Sequence, residues 1–384
     1  MEPELSPSPP VADGVPVPPG ALDRSGVWPE IRHHRHLLPA TMDRLFAHRP
    51  QPMNSTKRDD VASVLGASLY MPAHLAGIAD RIGDLASRVG VTSVVLCLED
   101  SVPDAMLASA EENLLAESGL LGRHDAAPVL VFVRPRSPEH LVSIAERLGS
   151  RLENLAGFAC PKFSGSSAAA WLDAIDVARQ RSERLFAMPI LEGSEMLFRE
   201  TRWDELARIA AEVSRRAHLI AAIRIGGTDL SGLLGIRRGR SSSIYDIPPV
   251  AAAIGEILNI WCRSDSTHVV TGPVWEYYRD GGENADLGLI HETERDIECG
   301  MLGKSVIHPS QVRVVNALLT VTWEDWADAS SILDSHGGAS ASVHRDRMNE
   351  AKPHLVWASR VLRRSQSFGV LRDGIELHDL IAAV

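Results

Sequence analysis

The sequence predicts a closed barrel of eight parallel strands, each followed by a helix, and three observations predict it. Short β-rich apolar runs recur eight times between residues 67 and 308. Stretches with the 3.6-residue apolar period of amphipathic helices separate them. An ionisable residue stands at seven of the eight predicted strand ends. Strand–helix alternation implies parallel pairing through right-handed crossovers. Eight such units in about 250 residues match a closed (β/α)₈ TIM barrel better than an open sheet.

Residues 1–25 include Pro3, Pro7, Pro9, Pro10, Pro16, Pro18 and Pro19 and almost no large apolar side chains. Such a segment cannot bury enough surface to offset its ordering entropy, so a disordered tail is expected. Residues 26–65 form an N-terminal extension with His33, His34, Arg35 and His36 clustered in it. Adjacent positions rarely converge on one ion, so this cluster reads as a solvated or anion-facing segment.

The predicted strands are 67–71, 93–99, 128–134, 157–162, 185–192, 219–227, 268–273 and 304–308. Helical stretches include 76–89, 104–117, 138–149, 167–182 and 203–217. The seventh unit is the weakest, because about 40 residues precede it and the long loop 274–288 follows it. The barrel is thus expected over 66–320. A C-terminal helical extension over 321–384 follows, with helices at 323–333 and 345–365 around a Gly/Ser-rich segment at 336–342. A short element at 370–379 closes it.

Composition narrows the function. A formal charge of −11 argues against non-specific binding to nucleic acid or to anionic lipid. Cys97, Cys160, Cys262 and Cys299 form no C-x-x-C pair, and they read as buried core residues in a reducing compartment. There is no run of about 18 apolar residues, so no membrane span is expected. The acidic, proline-rich start does not resemble a secretory signal. A cytoplasmic location is expected.

In such a barrel the catalytic groups sit where the strands end. Here those ends carry Tyr70, Glu99 with Asp100, Arg134, Lys162, Glu192, Asp229, Glu276 and His308. Strand interiors are nearly free of charge, apart from Arg224. Glu192 and Asp229, on adjacent strands, offer two hard oxygen ligands to Mg²⁺ and leave positions for water and substrate. A keto or hydroxy acid can chelate those positions. Arg134 can pair with a substrate carboxylate through its planar fork. Gly226 and Gly227 allow a close backbone approach to a ligand.

Each residue also has a plainer reading. In that reading Glu192 and Asp229 each cap a helix, and Glu99 and Asp100 are ordinary strand-end charges. Lys162 reads as a fixed cation more readily than as a Schiff-base lysine. His308 reads as a supporting group before a general base. The basic run at Arg237, Arg238 and Arg240 is either a phosphate-binding rim, for CoA or a phosphorylated substrate, or a solvated loop.

Several motifs carry a family resemblance. Ser68-Leu69-Tyr70-Met71-Pro72, Leu98-Glu99-Asp100-Ser101-Val102, Val133-Arg134, Pro161-Lys162 and Pro189-Ile190-Leu191-Glu192 occur in order. Ile225-Gly226-Gly227-Thr228-Asp229-Leu230 and Gly303-Lys304-Ser305-Val306-Ile307-His308-Pro309 follow them. Together they resemble the HpcH/HpaI aldolase and citrate lyase β-subunit family over roughly residues 66–315. Thr271-Gly272-Pro273-Val274-Trp275-Glu276 and Ser243-Ile244-Tyr245-Asp246 are similar to one branch, the C–C bond lyases of bacterial tellurium-resistance and phosphoribosyltransferase gene clusters. The resemblance implies a TIM barrel with Mg²⁺ on Glu192 and Asp229 and a carboxylate-binding Arg134. It also implies small keto or hydroxy acids or their CoA thioesters as substrates. A homo-oligomer is expected.

Two positions depart from the family pattern. Cys97 stands where citrate lyase-like members carry the first acid of Asp-Leu-Glu-Asp. His378 occupies the position of the C-terminal aspartate of CoA-thioester lyases, with Asp379 one step beyond. The expected activity is Mg²⁺-dependent cleavage or formation of a carbon–carbon bond through a metal-stabilised enolate. Glu99, Asp100 and Lys162 would organise the pocket around Arg134. The rival readings are a condensing or thioester-hydrolysing enzyme on the same barrel, and a non-catalytic binding component of an operon-encoded complex.

Overall fold

Eight short parallel strands form one sheet: β1 (Ala67–Pro72), β2 (Ser93–Cys97), β3 (Leu130–Arg134), β4 (Gly157–Cys160), β5 (Phe186–Leu191), β6 (Ile223–Ile225), β7 (Val270–Thr271) and β8 (Lys304–Val306). The structure, a computed structural model, describes residues 30–121, 128–278, 287–335 and 337–383. The proline-rich segment 1–25 lies outside the described residues.

The strand order is β7-β6-β5-β4-β3-β2-β1-β8. A parallel bridge between Gly272 and Lys304 joins the two ends of that order. There the Gly272 N–H donates to the Gly303 carbonyl at 2.9 Å, and the Ser305 N–H to the Gly272 carbonyl at 3.0 Å. The result is a (β/α)₈ barrel. Helices α1 (Ile78–Arg88), α2 (Leu107–Glu117), α3 (Pro138–Leu148), α4 (Ala168–Arg179), α5 (Arg199–Arg215), α6 (Pro248–Trp261), α7 (Leu287–Glu298) and α8 (Pro309–Leu318) alternate with the strands.

Most strands are shorter at their C-terminal ends than the apolar runs suggest. Glu99, Lys162, Glu192 and His308 fall one or two residues past them, in the βα loops. The run at 219–227 shortens most. Its start is a 3₁₀ turn at Ala217–Leu219, and regular pairing begins only at Ile223.

The two-residue side-chain period of a strand decides what faces inward. Val94 and Leu96 pack outward against the helices, whereas Val95 packs on the barrel axis. In β3, Leu130 and Phe132 are axial while Val131 and Val133 face the helices. Arg134 continues the axial row. Phe186, Met188 and Ile190 do the same in β5, which sends Glu192 inward one step beyond the strand. Ser68 and Tyr70, Ala222 and Arg224, and Ser305 share the inward parity of their strands. Lys304 has the opposite parity and faces α7, where Glu292 and Asp296 receive it at 3.1 and 2.6 Å.

The N-terminal extension plugs the amino-terminal mouth. Ile31, Met53, Val61, Val64 and Leu65 join the axial cluster around Val95, Leu130, Phe186 and Ala221. Arg58 fastens its helix (Arg58–Val64) through bonds to the carbonyls of Ile220 at 2.8 Å and Thr267 at 3.0 Å.

The histidine cluster of this extension corrects the expectation of a solvated segment. His33 and His34 are buried. The His33 ring stacks on Phe368 at 4.1 Å, and its Nε2 lies 3.0 Å from the Val64 carbonyl. His34 Nε2 lies 3.0 Å from Thr320 Oγ1. Burial pushes His33 down to about 3 and His36 to about 4, so both are neutral side chains of the packing.

The C-terminal extension pairs α9 (Trp323–Asp334) with α10 (Ala351–Phe368). The helix expected at 345–365 starts later. Residues Met348–Glu350 instead form a small antiparallel pair with Ala339–Ala341. Val370–Leu371 then pairs with Phe46–His48, tying the two extensions together before α11 (Leu377–Ala383). No helix among the described residues is long and apolar enough to cross a membrane.

Candidate active site

At the carboxyl-terminal mouth lies a cavity of about 540 Å³. Its lining includes Tyr70, Asp100, Arg134, Glu192, Arg224, Gly226, Gly227 and Asp229. Arg134 is the hub. Its Nη2 lies 2.8 Å from Glu99 Oε2, 3.1 Å from Asp100 Oδ2 and 3.4 Å from Glu192 Oε1. Burial works against the Arg134 charge, yet Glu192, Tyr70 and Glu99 more than offset it and raise its pKa. The guanidinium is therefore a permanent cation fixed by three acids on two strand ends.

Lys162 extends this network to the next strand. Its Nζ lies 2.7 Å from Glu99 Oε1, and that contact holds the amine above its ordinary value. Protonated in this way, it serves as a fixed cation and is a poor Schiff-base nucleophile. Its backbone occupies the left-handed region at φ +49°, unusual for a residue with a side chain. That turn aims the Lys162 N–H at Glu192 Oε1, 2.7 Å away. Opposite, burial raises Asp100, and its neighbour Glu99 raises it further. Glu99 is lowered on balance, because its bond to Asp100 and the nearby Arg134 and Lys162 together outweigh its burial.

Glu192 is 5% exposed. Burial pushes its carboxyl up to about 7; Arg134 opposes this and the Asp229 charge adds to it. Neither Glu192 nor Asp229 caps a helix. The helix Ser194–Leu197 has Gly193 at its N-cap, and Gly227–Gly232 has Gly226, in both cases without a side-chain cap. Both carboxylates line the cavity, and Glu192 Oε1 also takes the Lys162 N–H and Arg134. Gly226 fits against Glu192 so closely that a Cβ there would collide with Oε2 and Cβ of that side chain. A Cβ on Gly227 would come within 2.9 Å of Pro273.

Other positions singled out in the sequence lie elsewhere. Arg237 and Arg240 are exposed and do not line the cavity, and Arg240 stacks over the Tyr277 ring at 4.6 Å. Between them Arg238 turns inward to bond Glu292 and the Val274 carbonyl. His308 is the N-cap of α8: its Nδ1 accepts from the Ser310 N–H at 3.2 Å, and its ring stacks on Tyr278. Its neighbour Ile307 reaches the cavity instead. Asp379, in the first turn of α11, accepts from the Glu376 N–H at 2.9 Å. Arg224, in the sequence a lone charge inside a strand, stands in the cavity wall. The signal was its parity with Ala222.

The family model described as the C–C bond lyase of the TIM-barrel fold matches residues 59–370. The chain belongs to the TIM-barrel family of carbon–carbon bond lyases. This lyase chain is 23% identical over 303 residues to the L-malyl-CoA/β-methylmalyl-CoA lyase of Rhodobacter capsulatus, covering 73% of this chain and 88% of that one. Among solved structures it resembles a citrate lyase from Burkholderia xenovorans LB400, at 19% identity and a TM-score of 0.61, with 79% and 92% of the two chains covered. It also resembles the protein CitE of Mycobacterium tuberculosis, solved with magnesium, acetoacetate and coenzyme A. That match has 21% identity and a TM-score of 0.53 and covers 79% and 99% of the chains.

The mouth of the lyase barrel has the donor chemistry for a hard divalent cation. Four carboxylates, Glu99, Asp100, Glu192 and Asp229, surround two cations, Arg134 and Lys162, and leave a formal charge of −2. Burial and mutual repulsion hold Glu192 up, and a cation beside it relieves both. Among the described residues no group of three His, Cys, Asp or Glu is spaced to hold an ion. A cation between Glu192 and Asp229 would take its remaining ligands from water and substrate, as catalytic Mg²⁺ sites commonly do.

Proposed function

We propose that this chain is a Mg²⁺-dependent carbon–carbon bond lyase or aldolase for a small keto or hydroxy acid, or its CoA thioester. One observation carries the reading: Glu192 and Asp229, both free of capping duties, face one cavity whose wall holds the permanently charged Arg134. Glu192 and Asp229 hold the metal. Bound there, Mg²⁺ acts as a Lewis acid toward substrate oxygens and stabilises enolate charge.

The remaining work belongs to the chain itself. Arg134 presents a fixed guanidinium to the substrate carboxylate or to the developing enolate oxygen, without reorganising as charge builds up. Glu99 orients Arg134 and Lys162 together, since its two oxygens bond one each. Asp100, raised by burial and by Glu99, lines the cavity beside Arg134 and holds its proton more readily than a free carboxyl. Gly226 leaves room for the Glu192 side chain and Gly227 for Pro273 on the sixth-strand side of the cavity. Ile190, Ile225, Val274 and Ile307 line it with apolar surface, which lowers the local dielectric and strengthens these contacts.

The test is product analysis with oxaloacetate, citramalyl-CoA and malyl-CoA in Mg²⁺ and in EDTA. Cleavage that requires Mg²⁺ and is lost in Glu192→Gln is expected. Metal-independent turnover, or thioester hydrolysis without carbon–carbon cleavage, would contradict the reading.

A further inference from the structure

We infer that Arg224 forms a second anion subsite on the floor of the cavity, which takes the distal carboxylate or phosphate of a substrate with two anionic ends. The inference rests on the lyase reading above and goes past it to the class of substrate.

Arg224 is 1% exposed and lines the cavity. Its Nη1 donates to Ser68 Oγ at 3.1 Å and its Nη2 to Ser305 Oγ at 2.7 Å, while Nη1 also lies 3.7 Å from Met188 Sδ. Among the described residues its Nε has no hydrogen-bond partner. The guanidinium stands 5.4 Å from the centre of the Tyr70 ring. These neighbours orient the fork and leave its charge unmatched: among the described residues no carboxylate lies within ion-pair distance of it.

The other buried cations near the site differ. Arg134 has Glu99, Asp100 and Glu192, Arg238 has Glu292, and Lys304 has Glu292 and Asp296. An unmatched buried charge is costly and calls for an anion or for loss of the charge. An arginine does not lose its proton in a protein. A ligand anion is the counter-charge that the cavity admits.

Register gives the reach. Arg224 pairs with Ile190, two residues deeper than Glu192, or about 6–7 Å along the strand. A head group gripped at the mouth by Glu192, Asp229 and Arg134 therefore directs a second anion, a few bonds away, toward Arg224. Tyr70 lines the same cavity as both arginines, and its ring faces Arg224.

The experiment uses three matched probes with one 2-hydroxycarboxylate head: L-lactate, L-malate and 3-phosphonolactate. Their affinities for the full chain are measured by calorimetry in Mg²⁺ and in EDTA. Wild type is expected to bind at least one dianion about 10- to 100-fold more tightly than L-lactate, and the tighter dianion tells carboxylate from phosphate. Arg224→Met should erase that preference and leave L-lactate and Mg²⁺ affinities unchanged, with Arg224→Lys intermediate. Equal wild-type affinity for all three probes overturns the subsite, as does a preference that survives in a folded Arg224→Met protein. If that variant does not fold, Arg224→Gln is read in its place. Loss of the lyase reading looks different: Mg²⁺ alone then fails to bind wild type, whatever the probes do.

Discussion

At the scale of single residues, the site depends on close fits as much as on charges. Gly226 shows this most simply. Its backbone angles suit any residue, at φ −85° and ψ 72°, but a methyl group there would push against Glu192. Gly226→Ala is therefore expected to fold and to weaken Mg²⁺ about 10- to 100-fold, the usual effect of disturbing a metal ligand's support. Calorimetric Mg²⁺ titration checks it, and an unchanged affinity would remove Glu192 from the metal site. Arg134→Met should cost activity about 10²-fold or more if the guanidinium stabilises charge in the transition state. Steady-state kcat measured with saturating Mg²⁺ separates this from a metal-binding defect. Much of this layer was legible beforehand. The sequence already places Arg134 and Glu192 at strand ends, where a barrel of this kind keeps its site. Arg224 was visible as a lone charge in an apolar strand, but its role was not. A charged strand residue is explained only by what stands across the barrel, here Ser68 and Ser305.

At the scale of elements, the loop after β6 is held by a buried ion network and leaves the cavity to others. Arg238 and Lys304 meet Glu292, and Lys304 also meets Asp296. Glu292 accepts the Ile244 N–H at 2.7 Å as well. The network thus joins the Ser243–Asp246 turn, α7 and β8. Lys304→Met leaves two acids buried with too little positive charge, and it should destabilise the fold by about 3–5 kcal/mol. Urea denaturation at neutral pH checks this, and a loss under 1 kcal/mol would show that the pairs are replaceable. The sequence pattern misleads here. A run of three arginines looks like one basic patch, yet only the middle one turns inward. Nothing local tells Arg238 from Arg237 or Arg240, because its partner Glu292 lies 54 residues away.

At the scale of the molecule, the N-terminal extension closes the barrel at the end opposite the site, and the C-terminal extension packs against it. The histidines near residue 34 look polar in sequence because their partners are remote: Phe368 and Thr320 come from the far end of the chain. Their burial gives the whole fold a pH dependence. In the unfolded chain an imidazole titrates near 6.5, whereas folding lowers His33 to about 3 and His36 to about 4. Below about pH 6.5 the unfolded chain takes up protons that the folded chain refuses. Stability is therefore fully present above that pH and falls as pH drops toward 4, by about 1.4 kcal/mol per pH unit for each histidine. His33→Gln should flatten that slope by one histidine's share in urea melts at pH 7.5, 6 and 5. An unchanged slope would mean that His33 takes up its proton equally in both states.

The account stands on one cation shared by Glu192 and Asp229. A crystal structure with Mn²⁺, read by its anomalous signal, tests this most directly. The account predicts one strong peak within bonding distance of both carboxylates, with water or substrate oxygens completing its shell. A peak held by other residues, or none at this mouth of the barrel, would contradict it.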